Sequence, residues 1–211
     1  MSVIHILAVD DSETFLRGIE SLLARESDLQ VVDAAQCGAT AVEKAKTLRP
    51  HVLLADLRLS WEGRGERPTQ ETGLRMIRRI NQIDPQVKVL VLSGSSERRW
   101  VVQAMNAGAQ GYLAKESSGE QIIRGIRVVA AGGIALTAEQ LAWLRQPGEQ
   151  LTQREMEVLM FLAEGKSDAE IGRALYIATR TASKHVENIR DKLGAGSRWE
   201  AVVVARRLGL I

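Results

Sequence analysis

The stretch VIHILAVDD at residues 3–11 is an apolar run of strand length that ends in two aspartates. The same theme recurs further along the chain, in the apolar runs Leu29–Ala35, His51–Ala55, Val87–Leu92 and Gln110–Ala114. Each run precedes a stretch with the apolar spacing of a helix, at Ser12–Arg25, Ala39–Leu48, Gly73–Ile83, Glu97–Ala107 and Glu120–Ala131. Strands that alternate with helices favour right-handed crossovers and a parallel sheet covered on both faces. We therefore predict a doubly wound, flavodoxin-like α/β domain with a five-stranded parallel sheet over residues 1–131.

Length and composition narrow the class of protein. The 211 residues are 45% apolar and 26% charged, which is typical of a globular chain of one or two domains. No apolar run approaches the roughly 18 residues that span a bilayer, and the N-terminal segment lacks the basic residues of a secretion signal. The single cysteine, Cys37, excludes a disulfide framework and any multi-cysteine zinc site. We therefore expect a cytoplasmic protein with no membrane partner, and its net charge of +2 neither demands nor excludes nucleic acid.

Beyond Gly132 the strand pattern stops and short helices are predicted instead. Three of them begin at capping boxes, formed by the pairs Thr137 and Gln140, Thr152 and Glu155, and Ser167 and Glu170. The predicted helices are Ala138–Arg145, which Pro147-Gly148 ends, then Arg154–Glu164, a short helix to about Leu175, Thr179–Leu193 and Ser197–Leu208. A short helix and a turn that lead into a longer helix are typical of a helix-turn-helix. We therefore predict a linker with one short helix at 132–150 and a small all-α helix-turn-helix domain at 151–211.

Ionisable and hydroxyl side chains follow four of the predicted strands. Asp10 and Asp11 end the first apolar run and Asp56 ends the third, so three carboxylates are expected at one edge of the sheet. Clustered carboxylates raise one another's pKa unless a cation neutralises them, and Mg²⁺ is a hard ion that such oxygens bind. Ser93 and Lys115 end the fourth and fifth runs, where a hydroxyl and an ammonium group can hold a phosphoryl group on a carboxylate. Each residue alone is more often a helix cap or a solvated side chain, and it is the ordered set that indicates a site.

Four motifs in this region carry a family resemblance: VDD at 9–11, ADLRL at 55–59, VLSG at 91–94 and AGAQGYLAK at 107–115. With them, residues 1–131 resemble the receiver domain of a two-component response regulator. The resemblance implies that Asp56 accepts a phosphoryl group from a sensor histidine kinase. It also implies Mg²⁺ binding by Asp10, Asp11, Asp56 and the Arg58 carbonyl, contact with the phosphoryl oxygens by Ser93 and Lys115, and a switch movement by Tyr112.

Two features depart from the receiver pattern. Ser60 stands where receivers usually carry a proline, and the polar loop Ser60–Thr72 is long for a connection of its kind. Such a loop is either functional, because it lies beside the site, or a solvated insertion. Two tryptophans lie close to these strand ends in the sequence, Trp61 in this loop and Trp100 after the fourth strand. One interpretation puts them near the phosphate face, where they shield the phosphoryl group or bind a partner. The other makes them ordinary core or surface residues.

The helical segment carries a second resemblance, in LTQREMEVL at 151–159, AEGKSDAEIGRAL at 163–175, TASKHVENIRDKLGA at 181–195 and SRWEAVVVARRLGLI at 197–211. These motifs are similar to the LuxR-type helix-turn-helix domain that follows receivers in the NarL/FixJ class of response regulators. The resemblance implies binding to double-stranded promoter DNA, with Thr179–Leu193 as the recognition helix. The candidate DNA-contacting residues are Lys166, Arg180, Thr181, Ser183, Lys184, His185, Arg190 and Lys192.

Some details of this segment qualify the resemblance. Basic residues on a helix are, taken alone, more often a solvated face, and His185 alone more often packs than contacts a base. Ala178 stands at the usual N-cap serine position, so we expect Thr179 to cap the helix one residue later. From Glu149 onward the chain has ten Lys/Arg and nine Asp/Glu residues, a net charge of +1. This small excess favours weak binding by a single copy, and we therefore expect a homodimer on a two-fold DNA site.

Three hypotheses of different kinds fit these patterns. The first is a transcription factor that is switched by phosphorylation of Asp56. The second keeps DNA binding but has a ligand or a partner protein control the receiver without phosphate, because Ser60 and the long loop depart from the pattern. The third is a metal-dependent phosphatase or phosphotransferase with an aspartyl nucleophile. A hydrolase would need a second acid–base group and would leave the helical domain without a role, so we favour the first hypothesis and do not expect an enzyme.

Overall fold

A computed structural model of the protein describes residues 3–63, 65–145, 151–208 and 210–211. The chain divides into two compact units, Met1–Thr137 and Ala138–Ile211. The first unit contains β1 (Ile4–Val9), α1 (Glu13–Leu23), β2 (Leu29–Ala35), α2 (Gly38–Leu48), β3 (Val52–Ala55), α3 (Gln70–Ile83), β4 (Lys88–Ser93), α4 (Arg98–Ala107), β5 (Gly111–Ala114) and α5 (Gly119–Ala130). These strands form a parallel sheet in the order β2-β1-β3-β4-β5, which confirms the predicted doubly wound, flavodoxin-like fold.

The register of the sheet brings the ends of neighbouring strands together. β1 and β3 end side by side, so Asp10 and Asp56, next in the sequence, follow at the same level of the sheet. β4 and β5 also end together, which puts Ser93 next to Lys115. β3 is buried along its whole length, as expected for a central strand covered by helices on both faces. The carboxyl ends of four strands therefore place these four side chains at one edge.

The connection after β3 differs from the prediction at its far end. α3 begins at Gln70 rather than at Gly73, because the Thr69 side chain accepts a hydrogen bond from the Thr72 N–H (3.3 Å) and caps the helix. The last three residues of the predicted loop are therefore the first turn of α3. The two ends of the remaining loop are joined by an antiparallel bridge between Leu59 and Thr69, with N···O distances of 2.9 and 3.2 Å.

Gly73 allows α3 to approach the backbone that follows β3. A Cβ atom at this position would lie 2.2 Å from the carbonyl oxygen of Leu57 and 2.4 Å from its Cα, far inside van der Waals contact. The Gly73 N–H instead donates to that carbonyl at 3.1 Å. Since Leu57 is the neighbour of Asp56, this close approach supports the backbone from which the Asp56 side chain projects.

The segment after α5 returns to the sheet. Ala135 forms a parallel bridge with Gly111 of the edge strand β5. The Ala135 N–H donates to the Gln110 carbonyl (2.9 Å), and the Ala135 carbonyl accepts the Tyr112 N–H (2.9 Å). The first part of the segment predicted as a linker, 132–150, is thus hydrogen-bonded to the first unit.

The second unit contains the helices α6 (Ala138–Arg145), α7 (Gln153–Ala163), α8 (Asp168–Ala174), α9 (Thr179–Leu193) and α10 (Arg198–Arg207). The capping boxes predicted at the starts of α7 and α8 are formed. The expected Thr179 cap is wrong, because the Ala178 carbonyl accepts the N–H groups of Thr181 (2.9 Å) and Ala182 (3.1 Å) and makes Ala178 the N-cap. The Pro147-Gly148 stop predicted after α6 lies outside the described residues.

α8 and α9 form the predicted helix-turn-helix over a common apolar core. Val186, Ile189 and Leu193 lie on one face of α9 and are buried together with Ile171 of α8. The opposite face of α9 is left to solvent, as the amphipathic spacing predicts. Within the described parts of the chain, none of the helices has both the length and the apolar character needed to cross a membrane.

Candidate functional site

Lys115 joins two buried carboxylates at the carboxyl ends of β1 and β3. Its ammonium nitrogen lies 2.5 Å from Asp10 Oδ2 and 2.8 Å from Asp56 Oδ2. Both carboxylates are buried, whereas the Lys115 side chain keeps 22% of its surface exposed. The ring of Phe15 lies 4.6 Å from the ammonium group, and the Lys115 N–H donates to the Ser93 carbonyl at 3.0 Å. The structure therefore brings the predicted Asp10, Asp56, Ser93 and Lys115 together.

Burial and pairing act in opposite directions on these charges. Burial raises the pKa of Asp10 above its usual value, and the hydrogen bond from Lys115 offsets only part of this rise. Burial alone would lower the pKa of Lys115, but its hydrogen bonds to Asp10 and Asp56 outweigh burial and raise the pKa above its usual value. The site therefore keeps a cation beside its carboxylates.

Asp11 completes an acidic cluster with Asp10 and Asp56. One carboxylate oxygen from each residue lies within 4.8 Å of the others, and the exposed Asp11 opens the cluster to solvent. Backbone N–H groups orient two of these carboxylates, because Asp10 Oδ1 accepts the Ser12 N–H (2.9 Å) and Asp56 Oδ1 accepts the Arg58 N–H (3.2 Å). A set of oxygens that is open to water suits the hard ion Mg²⁺. That the Arg58 carbonyl joins this set stays a prediction.

The hydroxyl and aromatic residues of β4 and β5 are linked by hydrogen bonds. Ser93 Oγ accepts the Ser95 N–H (3.3 Å), and the Tyr112 hydroxyl donates to the Ser95 carbonyl (2.5 Å). Tyr112 is fully buried, and burial raises the pKa of its hydroxyl to about 12. Ser95 and Phe15 are absent from the sequence-based set of site residues. The run Ser-Gly-Ser-Ser at 93–96 and the place of Phe15 in the first turn of α1 are the signals that could have indicated them.

The two tryptophans have different surroundings. A Cβ atom at Gly38, the first residue of α2, would lie 2.9 Å from the half-buried Trp61 ring, and the Arg75 guanidinium lies 3.9 Å from the centre of that ring. The Trp61 carbonyl also accepts the Ala39 N–H at 2.9 Å. Trp100 is buried in α4. Trp100 is therefore a core residue, and Trp61 attaches the long loop to α2 and α3.

Most of the candidate DNA-contacting residues are exposed and lie at the start of α9 or just before α8. Lys166, Arg180, Thr181, Ser183 and Lys184 are exposed, and His185 is half-buried. Ser183 Oγ donates to Asp168 Oδ2 (2.7 Å), and the Lys184 ammonium lies 2.7 Å from Glu187 Oε2. Exposed ion pairs of this kind contribute little to stability, so either side chain can leave its partner and contact a ligand instead.

Arg190 and Lys192, in the second half of α9, have partners inside the helical unit. The Lys192 ammonium lies 2.8 Å from Glu155 Oε2, with 19% and 4% of the two side chains exposed, and the Arg190 guanidinium donates to the Gly196 carbonyl at 2.6 Å. Burial alone would raise the pKa of Glu155, but hydrogen bonds from Lys192 and Thr152 hold the pKa below its usual value. Arg190 and Lys192 therefore stabilise the packing of the helical unit, and we do not assign them to the residues that contact DNA.

Two known protein families match this chain, one over each of its two parts. Residues 6–127 match the response regulator receiver domain, and residues 149–205 match the LuxR family of bacterial regulatory proteins. The first match includes the acidic cluster and Lys115, and the second includes α7, α8 and α9.

Individual proteins are similar over nearly the whole chain. The response regulator protein VraR of Staphylococcus aureus is 34% identical over 215 residues, which cover 99% of each of the two chains. Among solved structures, RcsB from Salmonella enterica serovar Typhimurium, bound to promoter rprA in the presence of phosphomimetic BeF3-, has a TM-score of 0.65 at 20% identity and covers 97% of this chain and 99% of its own. The response regulator ChrA of a heme-sensing two-component system has a TM-score of 0.52 at 25% identity and covers 100% of both chains. The likeness to RcsB shows the shared fold.

Proposed function

Because the chain belongs to the response regulators that join a receiver domain to a LuxR-type helix-turn-helix domain, we propose that phosphorylation of Asp56 by a sensor histidine kinase switches its binding to promoter DNA. The observation that carries this proposal is the contact of Lys115 with the buried Asp10 and Asp56, at 2.5 and 2.8 Å, beside an exposed third carboxylate. A receiver controlled without phosphate has no need for an acceptor carboxylate, an acidic cluster and a lysine at one place.

The surroundings of Asp56 support a role as the phosphoryl acceptor. The Arg58 N–H and the Lys115 ammonium hold its two oxygens at 3.2 and 2.8 Å, which orients the carboxylate. Attack of one oxygen on a phosphohistidine forms an acyl phosphate and releases the imidazole of the kinase. Lys115 and the Ser93 hydroxyl are then in place to bind the oxygens of the phosphoryl group and offset its charge.

We place Mg²⁺ on Asp10, Asp11 and Asp56, with the Arg58 carbonyl as a further ligand. The spacing of the three carboxylates, within 4.8 Å of one another, supports this assignment. When bound, the ion neutralises negative charge on the carboxylates and on the transferred group. Lys115 supplies part of this counter-charge from the protein itself.

Tyr112 lies on the route from Asp56 to the segment that leads into the second unit. We propose that Ser93 moves toward the phosphoryl group, and Ser93 is hydrogen-bonded to Ser95, whose carbonyl accepts the Tyr112 hydroxyl. The Tyr112 N–H is in turn bonded to the Ala135 carbonyl at 2.9 Å. A movement of Ser93 therefore displaces groups that hold Ala135, and phosphate shifts the equilibrium because it favours one of the two arrangements.

In the second unit, the exposed start of α9 is the part that we propose enters the major groove. The residues proposed to contact DNA are Lys166, Arg180, Thr181, Ser183, Lys184 and His185. The net charge of +1 from Glu149 onward gives each copy few phosphate contacts, which supports a homodimer on a two-fold site. We propose a cytoplasmic location, because the chromosomal DNA that this regulator would bind lies there.

The intact mass of the full chain tests the receiver, after incubation with a small-molecule phosphodonor and Mg²⁺. We expect the wild type to gain one phosphoryl group and Asp56→Ala to gain none. A gain in Asp56→Ala would contradict the assignment of the acceptor. No gain in either protein would leave two options, strict dependence of Asp56 phosphorylation on the histidine kinase or control of the receiver by a ligand or a partner protein.

Selection from a random library of DNA duplexes tests the second unit, with the full chain in Mg²⁺ and BeF3-, which mimics the phosphoryl group. We expect the wild type to enrich duplexes with two-fold symmetry, and Asp56→Ala to lose the increase in affinity that BeF3- causes. A wild-type protein that retains no duplex would contradict DNA binding.

A further inference from the structure

Tyr176 lies in the turn between α8 and α9 with its whole side chain in solvent. The residue is 97% exposed, and its hydroxyl has no hydrogen bond with the described part of the chain. Tyrosine rings are usually at least partly buried, because burial removes apolar surface from water, and a buried hydroxyl usually finds a partner. Among the residues that the structure describes, the Tyr176 side chain therefore has almost no packing contact and no hydrogen-bond partner.

The backbone at Tyr176 also disfavours this residue. Its φ angle is +55°, in the left-handed region that glycine and asparagine adopt most readily. The turn requires this conformation because its two ends are close: the Ile177 N–H donates to the Gly172 carbonyl at 2.9 Å, and a Cβ atom at Gly172 would lie 2.9 Å from the Ile177 carbonyl. A glycine at position 176 would fit the turn with less strain, so the folded state alone does not account for a tyrosine here.

Tyr176 comes just before Ala178, the N-cap of α9, and close to the exposed residues Arg180 and Thr181. In a helix-turn-helix, the start of the recognition helix faces the bases, and neighbouring groups bind the phosphates that flank them. We propose that the Tyr176 hydroxyl donates a hydrogen bond to a DNA phosphate and so positions the start of α9 in the groove. This inference rests on the proposed DNA-binding function.

The chemistry of a phenol separates this contact from those of the basic residues. A neutral hydroxyl binds a phosphate oxygen without releasing the counterion that a lysine or arginine displaces. Loss of the hydroxyl should therefore weaken binding by a similar factor on every duplex and leave the salt dependence unchanged. Loss of the Arg180 charge should instead reduce the salt slope by about one, if Arg180 contacts a phosphate.

The test uses full-length protein in Mg²⁺ and BeF3-, with a duplex that the wild type selects from a random library and an unrelated duplex of equal length. Tyr176→Phe removes the hydroxyl alone, and Tyr176→Gly also removes the ring and relieves the left-handed strain. We expect Tyr176→Phe to bind both duplexes about fivefold more weakly, with the wild-type salt slope. We expect Tyr176→Gly to bind more weakly still while its melting temperature is no lower than that of the wild type. A purely structural role would lower affinity and melting temperature together.

The possible results distinguish a wrong hydroxyl contact at Tyr176 from a wrong assignment of DNA binding. If the wild type selects and binds a duplex, and Tyr176→Phe binds it equally well, the hydroxyl contact is wrong while DNA binding stands. A loss of affinity in Tyr176→Gly alone would also contradict the hydroxyl contact, because it would point to the ring or to the turn. If the wild type retains no duplex, the proposed function fails and this inference fails with it.

Discussion

At the strand ends of the first unit, the partly exposed Lys115 joins the buried carboxylates of Asp10 and Asp56, whereas along the start of α9 the charged side chains are exposed. The first set is placed by the register of β1, β3 and β5, and the Lys115 ammonium lies 2.5 Å from Asp10 Oδ2 and 2.8 Å from Asp56 Oδ2. In the second set, Lys184 pairs with Glu187 on the same helix, with 65% and 54% of the two side chains exposed.

The difference concerns how each region can respond to a ligand. Buried charges cannot be left unpaired without a large loss of stability, so an added ion or phosphoryl group must rearrange them as a set. Exposed pairs contribute little and are screened by salt, so a phosphate can replace one partner without a change in the fold. The first region is therefore suited to switching and the second to reversible binding.

Replacement of Lys115 by methionine tests the buried set and should have the largest effect. The variant leaves the Asp10 and Asp56 carboxylates facing each other without their cation. We expect the free energy of unfolding at pH 7 without Mg²⁺ to fall by about 3 kcal/mol, because a buried charge pair that loses one partner is strongly destabilised. Added Mg²⁺ should restore part of this loss. Urea unfolding of the full chain, with and without Mg²⁺, measures both effects.

Lys44→Met is the matched control, because Lys44 lies 2.7 Å from Asp33 but the two side chains are 32% and 40% exposed. We expect this variant to lose less than about 1 kcal/mol, with no response to Mg²⁺. Equal losses in the two lysine variants would show that burial is not what distinguishes the acidic site.

Gly73→Ala tests whether the acidic site depends on the backbone as well as on charge. The added methyl group would overlap the Leu57 carbonyl, next to Asp56, at 2.2 Å. We expect the free energy of unfolding to fall by about 2 kcal/mol, because α3 must move away from that backbone. Thermal and urea unfolding measure the loss. Gly18→Ala in α1 is the control, since nothing lies within 4 Å of its new Cβ, and it should stabilise the protein by about 0.5 kcal/mol.

The site at the strand ends could be predicted from the sequence because alternating strands and helices leave few topologies. Once β1 and β3 are neighbours in a parallel sheet, Asp10 and Asp56 must come close, and Lys115 follows from the same rule. The start of α3 could not be predicted as well, because the apolar spacing begins at Gly73 while the capping residue, Thr69, lies in a polar segment.

The pairing of charged side chains in the helical unit was beyond sequence analysis for a different reason. Lys192 and Glu155 lie on α9 and α7, and only the packing of these helices brings their side chains to 2.8 Å. No local pattern distinguishes Lys192, which is largely buried, from Lys184, which is exposed on the same helix. Sequence reasoning therefore assigned both lysines to DNA.

Glu155→Gln tests the buried ion pair between Glu155 and Lys192. The other ion pairs that the structure describes in the second unit are more exposed. The glutamine amide can still accept the Thr152 N–H, so the capping box is kept while the negative charge beside Lys192 is lost. We expect a loss of about 2 kcal/mol in the free energy of unfolding of the full chain, followed by far-ultraviolet circular dichroism. Glu170→Gln makes the same change in the exposed capping box of α8 and should cost much less. Similar losses would mean that the cap, rather than the buried pair, explains the role of Glu155.

The pH dependence of the same pair should give the smallest and most specific effect. Hydrogen bonds from Lys192 and Thr152 outweigh burial and hold the pKa of Glu155 below its usual value of 4.5, so the folded state binds this proton less readily than the unfolded state. The stabilisation is therefore complete above about pH 4.5 and is lost as the pH falls through the lower pKa of the folded state. The difference in stability between the wild type and Glu155→Gln should be constant between pH 6 and 7 and should shrink in acid. A difference that grows as the pH falls would mean that burial, rather than Lys192, dominates the ionisation of Glu155.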